Sequence, residues 1–67
     1  MESKFKRWCV ENNLTSRNIS EEVGISMSTV KSYMQGQRVP SRRTALKLEK
    51  AYGIDTRELF PLIEDEE

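Results

Sequence analysis

A chain of 67 residues holds enough apolar mass for one small core, and at 36% hydrophobic and 33% charged it is too apolar for a disordered tract and has no run long enough to span a membrane. With a single cysteine, Cys9, and no histidine, an internal disulfide, a zinc site and a histidine-assisted nucleophile are all excluded, so the chain reads as a cytoplasmic non-enzyme without cofactor or metal. The formal charge is zero, but residues 64–67 are all acidic, which leaves eleven Lys and Arg against seven Asp and Glu in residues 1–63, a body of +4 carrying an acidic tail that is either a solvated end or a competitor for the basic face.

Phe5, Trp8 and Cys9 recur at helical spacing among Lys4, Lys6, Arg7 and Glu11, which predicts a first helix over residues 3–12. Asn12 and Asn13 make a turn, and Thr15 is an N-cap for a second helix over 16–23 that buries Ile19 and Val23. Gly24 ends that helix at a left-handed position. Ser26 caps a third helix over 27–35, in which Val30 and Met34 form an apolar pair flanked by Met27 and Tyr33. Gly36 closes it, and a basic loop follows in which Pro40 forbids a continuing helix. Ser41 caps a fourth helix lined by Ala45, Leu48 and Tyr52, with Leu46 and Ala51 widening the buried face, until Gly53 stops it. Asp55 and Glu58 read as an acidic capping box for a short fifth helix ending before Pro61. The expected fold is therefore all-α, with five short helices in one domain over residues 1–63.

Residues 16–35 form a helix, a glycine turn and a second helix, the pattern of a helix-turn-helix: glycine for the tight turn, Ile25 to plug the angle, and Val30 to anchor the second helix with its other face free. The ordered set Leu14, Ile19, Gly24, Ile25, Val30, Gly36, Pro40, Gly53, Ile54 and Leu59 resembles the lambda-repressor-like (Cro and phage-repressor, XRE) family of DNA-binding domains over about residues 4–60. That resemblance implies a sequence-specific transcriptional regulator of double-stranded DNA, a Cro-like or small phage or mobile-element repressor, whose third helix reads the major groove.

On the face opposite Val30, the stripe Ser28, Lys31, Ser32 and Gln35 is either a solvated surface or, as the resemblance implies, the base-reading face. Met27 stands at its edge, as a core residue or as an apolar reader of a thymine methyl. Thr15, Ser16 and Arg17, the Ser26 cap, and Arg38, Arg42 and Arg43 are the expected phosphate contacts. Tyr33 is expected to pack between the third and fourth helices with its hydroxyl free.

Relatives bind as dimers on operator half-sites, and Leu59, Phe60, Pro61, Leu62 and Ile63 are the candidate homodimer face, unless they pack on the first helix. Where many relatives pair an arginine with a glutamate, this chain has Cys9 and Met34, and Ser20 and Glu49 stand where small apolar residues are common. The neutral total charge keeps a second reading open: an interaction module that regulates a partner protein without specific DNA binding.

Overall fold

The computed structural model describes residues 3–60, and within them the chain is wholly helical. Five helices follow one another: α1 Lys4–Glu11, α2 Ser16–Val23, α3 Met27–Met34, α4 Arg42–Tyr52 and α5 Thr56–Leu59. Each of the first four starts on a hydroxyl that accepts a backbone amide: Ser3 from Lys6, Thr15 from Asn18, Ser26 from Thr29 and Ser41 from Thr44. At α2 the Asn18 side chain returns the favour to the Thr15 amide, at 3.0 Å, closing a reciprocal capping box.

The interior is built from Phe5 and Cys9 of α1, Ile19 and Val23 of α2, Val30 and Tyr33 of α3, Leu48 of α4, and Phe60. Phe5 is its aromatic hub, with ring centroids 5.8 Å from Trp8, 6.3 Å from Tyr33 and 4.9 Å from Phe60. Trp8 meets Tyr52 edge-on at 5.3 Å and so packs α1 against α4. Ser3 ties the start of α1 to the end of α3 by donating to the Met34 carbonyl at 2.8 Å. No described helix is long and apolar enough to cross a membrane.

Several expectations need correction. Leu46 is 48% exposed and Ala51 is exposed, because at 100° per residue both fall well to the side of the Ala45, Leu48 and Tyr52 stripe. The ring of Tyr33 packs on Phe5 and Phe60 as well as facing α4. Burial pushes its phenol above the ordinary value, opposed by a hydrogen bond with Thr44 and by the charge of Arg38, so the hydroxyl is engaged with α4 rather than free.

The expected capping box of α5 is absent as well. Asp55 accepts from the Arg57 amide at 3.0 Å, while Glu58 is exposed. The second acceptor comes from α4: Glu49 takes the Thr56 hydroxyl at 2.7 Å and its amide at 3.4 Å. Thr56 is only 2% exposed, so Glu49 satisfies groups that water does not reach. Glu49→Ala is therefore expected to cost about 1–3 kcal/mol in urea denaturation, and a Thr56→Val background is expected to absorb much of that loss; full additivity of the two changes would contradict the contact.

Cys9 is 1% exposed, and burial raises its thiol to about 11, against a smaller opposing pull from Lys6. The neutral thiol is thus favoured in the folded state. Its contribution to stability is complete below the unfolded value near 9.0 and is lost as the pH climbs toward about 11. At pH 8 the native thiol should alkylate roughly a hundredfold more slowly than the urea-unfolded one, from ionisation alone; equal rates would show an open site.

Candidate nucleic-acid interface

The α2 and α3 helices meet at a turn made by Gly24, whose φ of +82° is in the left-handed region that side chains with a Cβ rarely adopt. Ser20 explains its own polarity here. Its hydroxyl donates to the Ile25 carbonyl at 2.5 Å, tying the last turn of α2 to the residue that enters α3. Ile25 packs against the core from the turn. These contacts set the angle at which α3 leaves the domain.

One side of α3 anchors it, through Val30 at 0% and Tyr33 at 4% exposure, with Met34 half-buried. The opposite side carries Ser28, Lys31 and Gln35, all exposed, and the half-buried Ser32, while the exposed Met27 stands at its edge toward Val30. Met27 is 40% exposed, so a large part of its side chain reaches solvent. The result is a convex polar strip one helix long with a thioether at its N-terminal end.

Beside this strip lies an open groove of about 870 Å³. Ser26 and Thr29 border it from the start of α3, and Arg38, Ser41, Arg42 and Arg43 from the loop and the start of α4. Two helix N-termini thus face one concavity, each contributing first-turn amides and the positive end of its dipole. No acidic residue occupies the first turn of either helix. An anion is the natural complement of such a surface.

Thr15, Ser16 and Arg17 start α2 at a separate point. Thr15 spends its amide and its hydroxyl acceptor on Asn18, which leaves the first-turn amides of Ser16 and Arg17 outside the helical ladder. Arg17 pairs with Glu21 at 3.2 Å, with both side chains mostly exposed. Such an i, i+4 pair is worth only about 0.3–0.5 kcal/mol, so a phosphate can exchange for the carboxylate at little cost.

Of the candidate dimer face, Phe60 follows the alternative of packing on the first helix. Phe60 is 4% exposed and stacks into the core on Phe5 and Tyr33, so a partner chain has no access to its ring. Leu59 is half-buried and packs against the same core. Pro61, Leu62 and Ile63 lie outside the described residues.

Residues 5–59 match the model of the helix-turn-helix family. The chain is similar, at 30% identity over 67 residues and the full length of both chains, to an uncharacterized HTH-type transcriptional regulator of Methanocaldococcus jannaschii. No solved structure matches it.

Proposed function

Because the chain belongs to the lambda-repressor-like helix-turn-helix family, we propose that it is a sequence-specific regulator of transcription that binds double-stranded DNA, of the Cro-like or small mobile-element repressor type. The observation that carries this reading is the exposed strip of Met27, Ser28, Lys31 and Gln35 standing beside a groove bordered by two helix N-termini and three arginines. A helix that projects polar side chains from a rigid turn fits the major groove, about 12 Å wide. The groove beside it fits the adjacent phosphates, which position the helix without reading sequence.

In this assignment Met27, Ser28, Lys31, Ser32 and Gln35 face the base edges. Ser26, Arg38, Arg42 and Arg43 hold one stretch of backbone, and Thr15, Ser16 and Arg17 hold another. Ser28 and Ser32 are short and accept either donor or acceptor partners, so Lys31 on a guanine edge is the strongest single reader. Sequence-dependent groove shape supplies further selectivity.

Two copies act together, on half-sites one helical turn apart, about 34 Å. The longest extent of the described domain is 32 Å, so neighbouring copies at that spacing sit edge to edge with a small contact. We place that homodimer contact at Leu59 and the segment Pro61, Leu62 and Ile63, with Phe60 kept for the core.

Selection of bound sequences from a random duplex pool tests the function directly. A two-fold-symmetric motif with centres one turn apart is the expected result. An unenriched pool, with only weak binding at low salt, would transfer the assignment to a protein partner.

A further inference from the structure

We propose that Met27 is a specificity-determining residue that recognises the 5-methyl group of a thymine, and that this thymine lies within two base pairs of the base contacted by Lys31. The proposal rests on the DNA-reading function above and names one element of the sequence it reads.

Met27 is an apolar side chain at the first position of α3, and it stays 40% exposed although Val30, one turn further on, is fully buried. Folding therefore leaves part of its side chain in water beside Ser28, Lys31 and Gln35, which are exposed and polar. In the major groove the base edges present donors and acceptors with one apolar exception, the thymine methyl. A methionine has no strong hydrogen bond to offer a base edge, but it is flexible and polarisable and adapts to a small apolar target. The chemistry of the side chain thus selects one feature of one base.

Its position on the helix sets the distance. Met27 and Lys31 are four residues apart and stand as neighbours on one face of α3. At about 1.5 Å of rise per residue their origins are separated by roughly 6 Å along the axis, which is less than two base-pair steps of about 3.4 Å. The two side chains accordingly read bases no more than two pairs apart.

The experiment takes the motif selected from the random pool and replaces its thymines one at a time by uracil, which removes only the methyl. Binding is measured for the unchanged protein, Met27→Leu and Met27→Ala. One uracil substitution should weaken the unchanged protein about fourfold, the equivalent of one buried methylene-sized group. Met27→Leu should retain most of that sensitivity, and Met27→Ala should lose it while unfolding normally in urea. The sensitive thymine should fall within two base pairs of the position at which Lys31→Ala relaxes preference.

Equal uracil sensitivity in the unchanged protein and in Met27→Ala, or no sensitive thymine in an otherwise well-defined motif, overturns the assignment to Met27 and leaves the DNA-reading function standing. A pool that yields no motif overturns both.

Discussion

Replacing Phe5 by alanine is expected to leave the domain largely unfolded at 25 °C. Phe5 is fully buried and its ring touches those of Trp8, Tyr33 and Phe60, so truncation removes the transfer energy of a large side chain and opens a cavity among three others. Losses of this type run about 3–5 kcal/mol, and a core in a chain of this size supplies on the order of 3–5 kcal/mol in total. Little remains to hold α1 on α3. Phe5→Leu keeps most of the volume and should cost about 1.5 kcal/mol or less, with a cooperative transition preserved. Helical circular dichroism during urea titration distinguishes the two variants; an Ala variant with an unchanged midpoint would mean that the aromatic cluster is peripheral to stability.

The second large effect concerns binding. Lys31→Ala should weaken the selected sequence by about 1–3 kcal/mol, roughly fivefold to more than a hundredfold, and relax preference at one position, because it removes the strongest base contact assigned to α3. Arg38→Ala with Arg43→Ala should behave differently. Each arginine borders the groove between the starts of α3 and α4, and each phosphate contact contributes about 0.9 to the dependence of log affinity on log salt. The pair should lower that slope by about 1.8 and weaken all sequences alike. Lys50→Ala removes the same unit of charge from the far end of α4 and should leave the slope nearly unchanged. If all three sites alter the slope equally, the effect is one of net charge and the groove is not the phosphate contact.

The parts of this fold legible from sequence are those governed by neighbours along the chain. Thr15, Ser26 and Ser41 reach amides three residues away, and Gly24 and Gly53 take the left-handed conformation that ends a helix, so residue type alone identifies these positions. Family resemblance then assigns the outward face of α3. The other elements depend on contacts between distant segments. Phe60 packs on Phe5 and Tyr33, one of the two placements that the sequence leaves open, and only these distant contacts decide between them. Glu49 caps α5 from seven residues away across a turn, and its polarity in a half-buried position was the one available sign. Leu46 differs from these, because an apolar residue inside a helix suggests the buried face while its angular position puts it in solvent.

Met27 shows why exposure has to be seen rather than inferred. On a helical wheel it borders both the Val30 side and the Lys31 side, and methionine serves equally well in either setting. The structure leaves it 40% exposed, and the proposed reading of a thymine methyl starts from that exposure.

In the proposed function the outward face of α3 and the groove beside it contact DNA. The most direct measurement is a titration of the isotopically labelled protein with its selected duplex, following backbone amide resonances residue by residue. The largest shifts are predicted at 26–35 and 38–44, with a smaller set at 15–17, while the exposed Val10 side of α1 stays unperturbed. Shifts centred on α1 and α5, with α3 unaffected, would contradict the account.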